Sequence, residues 1–212
     1  MQKILILGAS GQIARHVIDL LAAKPTVTQT LFARQPAKIS RPHPTNSRII
    51  MGDALNPAAL KQAMPGQDIV YANLTGEDVD LQAKAVIAAM KATGVKRLIF
   101  VLSLGIYDEV PGKFGEWNNA IIGEPLRPFR RAADAIEASG LDYTILRPAW
   151  LTDDDTIDYE LTARNDLFKG TVVSRKSVAA FIADMIDKPE QYIGENIGVN
   201  QPGTDGDKPY FM

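Results

Sequence analysis

The sequence predicts an α/β fold in which a doubly wound parallel sheet carries helices on both faces. Three observations support this fold class. Short apolar runs alternate with segments of helical periodicity, the runs lack the polar alternation of a half-exposed sheet, and the first run passes into a glycine turn that opens a helix. We expect the strand order 3-2-1-4-5-6, with room for a seventh strand, and ligand binding at the carboxyl ends of the strands.

Six apolar runs have the length and character of buried strands. They lie at residues 3–7, 28–33, 48–51, 68–72, 96–102 and 142–147. Segments with apolar residues at helical spacing lie between them, at residues 12–23, 57–64, 79–93 and 128–139. Pro57 suits a first helical turn, and Gly94 and Gly140 stand where helix C-terminal glycines belong.

The composition is that of one ordinary globular domain. With 212 residues, 46% of them hydrophobic, the chain can bury one sizeable core, so we expect a single domain over residues 1–212. The formal charge of -2 gives no reason to expect nucleic acid or an anionic membrane as a partner. The absence of cysteine excludes disulfides, thiolate metal sites and cysteine nucleophiles. Neither a signal peptide nor a membrane-spanning run is recognisable, which predicts a cytoplasmic location; the sequence leaves the oligomeric state open.

An apolar strand passes through a glycine turn into a helix at the start of the chain. Gly8 permits the tight turn, Gly11 lets the backbone approach a pyrophosphate, and Ala14 is small enough for close helix packing. The amides of the first helical turn, which includes Gln12 and Ile13, would face the phosphates, where the helix dipole favours negative charge. An ordinary strand-to-helix turn is the alternative, but the flanking strand and helix favour a dinucleotide-phosphate site.

The second strand ends in Arg34, at the position that usually separates the two nicotinamide cofactors. An acidic residue there would bind the ribose 2′-hydroxyl of NAD, whereas Arg34 can pair with the 2′-phosphate of NADP. Ser10 in the glycine turn could donate a further hydrogen bond. Lys38 and Arg41 follow in a loop that can equally be a solvated basic segment. The sequence therefore favours NADP(H) over NAD(H).

Two later motifs indicate which protein family the chain resembles. Residues 139–148 read Ser-Gly-Leu-Asp-Tyr-Thr-Ile-Leu-Arg-Pro, and residues 174–179 read Ser-Arg-Lys-Ser-Val-Ala. Together with the Gly-x-x-Gly-x-x-Ala spacing, they resemble the atypical branch of the short-chain dehydrogenase/reductase superfamily. The resemblance is to its NAD(P)-binding group, which includes NmrA-like and flavin or biliverdin reductase-like proteins. It spans residues 3–179 and implies a Rossmann fold and a nicotinamide cofactor.

This resemblance implies further cofactor contacts after the third, fourth and sixth strands. These residues are Asp53, Ala54, Asn73, Leu74, Thr75 and Pro148. Asp53 would bond to the adenine amino group and Ala54 would cover the ring. The alternative for Asp53 is a helix cap, a role that is open to Asn56 as well. Asn73 and Thr75 could equally be turn residues that satisfy their own backbone.

The chemistry at the end of the fifth strand departs from the superfamily's pattern. Ser103 lies where the superfamily keeps its catalytic serine, whose hydroxyl could polarise a carbonyl or orient the nicotinamide carboxamide; a serine that merely ends a strand is the alternative. Tyr107 is near enough in sequence to line the same pocket. The usual Tyr-x-x-x-Lys acid is absent, because no tyrosine has a lysine four residues later. Arg130 and Arg131 bring positive charge but are poor proton relays, so ordinary alcohol or ketone chemistry is put in doubt.

The remaining segments are less informative. His16 and His43 lack ligand spacing, and the acidic run Asp153 to Asp155 reads better as a polar loop than as a cation site, so we expect no metal. The long connection 107–125 predicts a lid or wall over the nicotinamide end, with surface packing of its aromatic residues as the alternative.

Residues 148–212 form the expected elaboration on the substrate side of the domain. Its first residues should skirt the nicotinamide, with Trp150 as a stacking wall. The segments 157–162 and 171–174 read as short strands around a turn, 177–186 as a helix and 196–199 as a final strand.

Two functional classes follow from these patterns. One is an NADPH-dependent reductase whose small-molecule substrate is a conjugated ring such as a flavin, a quinone or a tetrapyrrole. The other is a non-catalytic NADP(H) sensor of the NmrA kind that acts through a protein partner. An epimerase or dehydratase is a weaker third option, because the missing tyrosine argues against it.

Overall fold

The computed structural model describes residues 1–212 as one sheet flanked by helices, with a small second sheet beside it. In chain order the elements are β1 (Gln2–Leu7), α1 (Gln12–Ala22), β2 (Val27–Ala33), a 3-10 helix (Pro36–Lys38), β3 (Ser47–Met51), α2 (Pro57–Ala63), β4 (Ile69–Ala72), α3 (Val79–Thr93), β5 (Arg97–Val101), α4 (Gly112–Ile122), α5 (Arg127–Glu137), β6 (Asp142–Pro148), β7 (Trp150–Thr152), β8 (Glu160–Thr162), β9 (Val172–Ser174), α6 (Arg175–Asp187) and β10 (Glu195–Asn200).

The main sheet has the order β3-β2-β1-β4-β5-β6-β10-β8. The predicted order 3-2-1-4-5-6 is confirmed, and β10 supplies the seventh strand, parallel to β6. An eighth strand, β8, closes this edge antiparallel to β10. The order reverses between β1 and β4, which is where a doubly wound sheet binds its ligand.

The core lies on both faces of the sheet. Ile4 and Ile6 of β1 pack into one apolar cluster with α1 and α6, whereas Leu5 and Leu7 pack into the other with α3 and α5. Because both faces are covered, Ile4 to Leu7 are all apolar and buried, and this is why the parallel strands read as continuous apolar runs in the sequence.

The structure differs from the expectations in two segments. The strands β8 and β9 do form, but they do not pair around a turn: β8 joins the main sheet, and β9 pairs with β7 in a separate two-stranded sheet. The expected loop 107–125 contains the helix α4. Only Phe114 and Asn118 of α4 are buried, and its two glycines and two asparagines are weak helix formers, which is why the sequence did not predict a helix.

The helices of the protein are short or carry polar faces. None of them is long and apolar enough to cross a membrane.

Candidate cofactor site

A cavity of about 580 Å³, here called the main cleft, lies at the carboxyl edge of the sheet. All of the residues expected to contact the cofactor line it, although they come from five separate segments of the chain. They are Gly8, Ser10, Gly11, Gln12, Ile13, Arg34, Asp53, Ala54, Asn73, Leu74, Thr75 and Pro148. The parallel sheet explains this convergence, because the carboxyl ends of its strands meet at one edge.

The glycine turn is shaped by the neighbouring strand end as well as by any ligand. Gly8 has a φ of 76°, in the left-handed region, and a Cβ there would lie 2.2 Å from the carbonyl oxygen of Asn73. A Cβ on Gly11 would lie 1.9 Å from Asn73 Nδ2. The amide of Asn73 is itself held, because Tyr71 donates its hydroxyl hydrogen to Asn73 Oδ1 at 3.2 Å. The backbone after β4 therefore requires glycine at position 8, whereas a side chain at position 11 would displace the amide of Asn73, before a pyrophosphate is considered.

The residue that caps α2 is Asn56 and not Asp53. Asn56 caps α2, since its Oδ1 accepts hydrogen bonds from the N–H groups of Ala58 and Ala59 at 3.0 and 3.2 Å. Asp53 instead accepts from the N–H of Leu55 at 2.9 Å, which closes a tight turn at the rim of the main cleft. Its role toward adenine remains a prediction.

The charges that line the main cleft are predominantly positive. Arg34, Lys38 and Arg175 are its cations, and Asp53 is its only carboxylate. Arg34 and Lys38 lie together at the end of the cleft formed after β2, and both are exposed to solvent. A cleft with three cations, a glycine turn and a helix N-terminus has the donors that a phosphorylated dinucleotide needs.

The far end of the main cleft is mainly apolar. Val101, Leu102, Phe129, Pro148 and Leu151 line it. Ser103 directly follows two of these residues and is half-buried, but it is not among the lining residues. Its catalytic role therefore remains a prediction.

Beyond the expected cofactor contacts, the lining includes Gln82, Phe129, Leu151 and Arg175. Of these, Leu151 and Arg175 stand in segments that the sequence did mark, the run after the sixth strand and the Ser-Arg-Lys-Ser-Val-Ala motif. Gln82 and Phe129 lie on helices and carry no local signal that would distinguish them from other helix residues. Gln82 fixes the rim, donating to Thr75 O at 3.1 Å and to Asp78 Oδ1 at 2.6 Å.

Tyr107 does not line the main cleft, contrary to the expectation that it shares the pocket of Ser103. Its hydroxyl donates to Glu137 Oε1 at 3.0 Å and accepts from Asn196 Nδ2 at 2.8 Å. Arg130 and Arg164 lie over its ring, at 4.6 and 4.2 Å from the centroid. Burial, then the charge of Glu137, raises the pKa of Tyr107 above its usual value. This phenol is thus engaged in a structural network and does not replace the missing acid.

Trp150 is tied to α4. Its indole N–H donates to Asn118 Oδ1 at 2.9 Å, and its ring centroid lies 5.0 Å from that of Trp117. Phe114 stacks on Trp117 at 6.2 Å, so these aromatic residues form a cluster beside the apolar end of the main cleft, next to Leu151.

The acidic run after β7 is engaged by cations on α6. Arg175 Nη1 donates to Asp153 Oδ1 at 2.9 Å, and Lys176 pairs with Asp155. The protein has no group of three or more His, Asp and Glu side chains arranged to hold a metal ion.

The fold and the main cleft together define a Rossmann protein with an NAD(P) site. The chain belongs to the NAD(P)H-binding family, whose model matches residues 8–189. A Rossmann-fold NAD(P)-binding family protein from Shigella flexneri is 74% identical over the whole of both chains, with a TM-score of 0.88. A short-chain dehydrogenase/reductase from Veillonella parvula, solved in complex with NADP, is 30% identical over 99% of each chain, with a TM-score of 0.92.

A curated relative carries a different description. YhfK of Bacillus subtilis, an uncharacterized sugar epimerase, is 28% identical over 98% of this chain and 96% of its own. The family and the structural neighbours confirm the resemblance to the atypical short-chain dehydrogenase/reductase group.

Proposed function

We propose that the protein is an NADPH-dependent reductase whose acceptor is a conjugated ring such as a flavin or a quinone. The observation that carries this proposal is the charge of the main cleft. Arg34 and Lys38 flank its adenosine end, and neither takes part in an ion pair, so both guanidinium and ammonium are available to a 2′-phosphate. The complex of the Veillonella parvula relative with NADP supports the same cofactor.

The assignment of an acceptor rests on proton supply. Bound NADPH would supply a hydride at the apolar end of the main cleft. Reduction of an aliphatic ketone develops an alkoxide, which needs a positioned acid, whereas a flavin or a quinone spreads the charge over its ring and can take its proton from water. The phenol of Tyr107 is engaged by Glu137 and Asn196, and no tyrosine of the chain has a lysine four residues later. A ring acceptor is therefore favoured over a ketone.

Within this function the side chains have distinct tasks. The amides of Gln12 and Ile13 would hold the pyrophosphate, and Pro148 with Leu151 would exclude water from one side of the nicotinamide. Ser103 would offer one oriented hydrogen bond to the carboxamide or the acceptor, which requires its hydroxyl to turn toward Leu102 and the cleft. The main cleft is lined by no tyrosine, which also weighs against the epimerase chemistry named for YhfK.

One observation favours a second function, an NADP(H) sensor without turnover. Ser103 is absent from the lining of the main cleft, so the cleft holds a complete cofactor-binding set but no evident group for chemistry. A sensor would act through a protein partner that distinguishes the bound from the unbound state.

A panel of acceptors separates these functions. NADPH oxidation would be followed by its absorbance with quinones, flavins and aliphatic ketones, alongside titrations of NADPH and NADH. Reduction of quinones or flavins but not of ketones is expected. Reduction of ketones alone would reveal an overlooked proton donor. Tight NADPH binding without turnover of any acceptor would favour the sensor.

A further inference from the structure

Arg175 is a cation of the main cleft that the cofactor contacts expected from the family do not include. It is the first residue of α6 and follows Ser174, which pairs with Thr152 in the small sheet. Leu151, the residue before Thr152 in β7, lines the apolar end of the main cleft. Arg175 is therefore grouped with Leu151 at the apolar end of the cleft, whereas Arg34 and Lys38 follow β2.

The guanidinium of Arg175 is only partly satisfied by the protein. Nη1 donates to Asp153, but the side chain of Asp153 is 78% exposed, whereas that of Arg175 is 16% exposed. Nε of Arg175 is buried and has no hydrogen-bond partner. An ion pair with a carboxylate so exposed to water is weak, and a buried unpaired N–H favours any acceptor that can reach it.

We propose that Arg175 is a phosphate-binding residue of the main cleft, and that a phosphate oxygen of a bound ligand replaces Asp153 as its partner. This proposal rests on the proposed function for the presence of a dinucleotide, but it concerns a different residue and a different end of the cleft. Two ligands could bring the phosphate: the pyrophosphate of the cofactor, or a phosphorylated ring acceptor such as FMN. The planar guanidinium with several N–H donors suits either, because it can bind two phosphate oxygens at once.

The neighbouring residue provides a matched control. Lys176 is also a cation of the first turn of α6, and it also pairs with an exposed carboxylate, that of Asp155. It does not line the main cleft. Arg175→Met and Lys176→Met thus remove the same charge from adjacent positions, and only the first should affect a ligand in the cleft. Asp153→Asn should change the ligand affinity in the opposite direction, because it releases Arg175 from its partner.

Isothermal titration would be carried out on the full chain and these three variants. The ligands are NADPH, adenosine 2′-monophosphate, and FMN or riboflavin added to the complex with NADP⁺. Adenosine 2′-monophosphate lacks the pyrophosphate, and riboflavin lacks the phosphate of FMN. Arg175→Met should weaken one phosphate-bearing ligand on the order of tenfold, as expected for one charge-assisted hydrogen bond. Asp153→Asn should tighten the same ligand roughly twofold to fivefold.

The pattern of losses identifies the source of the phosphate. Weaker NADPH with unchanged adenosine 2′-monophosphate assigns Arg175 to the pyrophosphate, and weaker FMN with unchanged riboflavin and NADPH assigns it to the acceptor. If Arg175→Met matches Lys176→Met for all four ligands, the proposal is overturned. Because these are binding measurements, a lack of turnover would reject the reductase function without touching this result.

Discussion

Arg147 and Glu109 form an ion pair in the core, where their side chains are 0% and 4% exposed. The carboxylate of Glu109 also accepts the N–H groups of Gly105 and Tyr107, each at 3.0 Å. Arg147 further donates to Asn196 Oδ1 at 2.8 Å. One buried pair thus joins the turn after β5 to β6 and β10, and Arg147 directly precedes Pro148, which lines the main cleft.

Removing one partner of this pair should be strongly destabilising. Glu109→Gln leaves the guanidinium of Arg147 without its counter-charge in the core, and we expect a loss of about 3 to 5 kcal/mol in the free energy of unfolding. Adding Arg147→Met should recover part of that loss. Urea unfolding measures both, with Lys113→Met, which breaks an exposed pair with Asp207, as a control that should cost less than about 1 kcal/mol. Equal losses for the buried and exposed pairs would contradict the prediction.

Cofactor choice should depend on Arg34. Arg34→Ala removes a charge-assisted hydrogen bond worth about 1.5 to 3 kcal/mol, so NADPH binding should weaken on the order of tenfold or more while NADH binding stays nearly unchanged. Arg41→Ala is the control, because Arg41 lies in the same basic loop but does not line the main cleft. If the wild-type protein binds NADH as well as NADPH, the role assigned to Arg34 is wrong.

Two constraints act on Gly11, the contact with the side-chain amide of Asn73 and the approach of a pyrophosphate, and variants can separate them. Gly11→Ala places a Cβ 1.9 Å from Asn73 Nδ2, so the amide must move and the protein should lose about 1 to 3 kcal/mol of stability. Asn73→Ser removes the amide and should restore most of that stability in the double variant. Because Asn73 is itself an expected cofactor contact, NADPH binding should be weaker in the double variant than in Asn73→Ser alone if the pyrophosphate approaches Gly11. Recovery of stability and binding together would mean that Asn73 alone requires the glycine. Thermal unfolding and calorimetry give the two readouts.

Ser103 should contribute only modestly to turnover. With one oriented hydrogen bond lost, Ser103→Ala should slow the reduction of a quinone or a flavin by about tenfold to a hundredfold, while NADPH binding persists. Ser40→Ala, at an exposed position, should leave the rate unchanged. An unaltered rate in Ser103→Ala would identify Ser103 as a residue that merely ends β5.

The Glu137 network should make stability depend on pH. Partial burial acts to raise the pKa of Glu137, but hydrogen bonds from Arg164, Asn196 and Tyr107 outweigh it and hold the pKa below its usual value. A lowered pKa in the folded state stabilises the protein above the unfolded pKa of about 4.3, and this contribution is lost as the pH falls through the folded value.

Glu137→Gln isolates that contribution. Urea unfolding of the wild type and the variant should show the largest difference in stability near neutral pH and a shrinking one below about pH 4. Glu116→Gln, at an exposed site on α4, should track the wild type throughout. A difference that stays constant from neutral to acidic pH would rule out titration of Glu137 as its source.

The strands and the glycine turn could be predicted because their signals are local. A parallel sheet gathers the residues that follow its strands, so Gly8, Arg34 and Asp53 could be placed at one edge from sequence alone. Other features depend on contacts between distant segments. Glu109 and Arg147 are 38 residues apart. Arg147 ends a predicted buried strand, but nothing in the local sequence of either residue indicates its partner.

The walls of the main cleft were harder to predict for the same reason. Arg175 enters the cleft where β9 pairs with β7, and that parallel pairing joins two three-residue strands separated by a long connection that contains β8. The helix α4 was missed because its glycines and asparagines are weak helix formers. Long-range pairing and partial burial leave little trace in residue order.

The two outer strands of the main sheet bear on how copies of the chain can associate. The edge strand β8 spans only three residues, and the opposite edge strand, β3, carries the exposed cation Arg48. Short or charged edge strands are poor templates for the addition of a strand from another molecule. We expect that concentrated solutions resist β-type aggregation, and that any dimer forms through helical surfaces rather than by a continuous sheet.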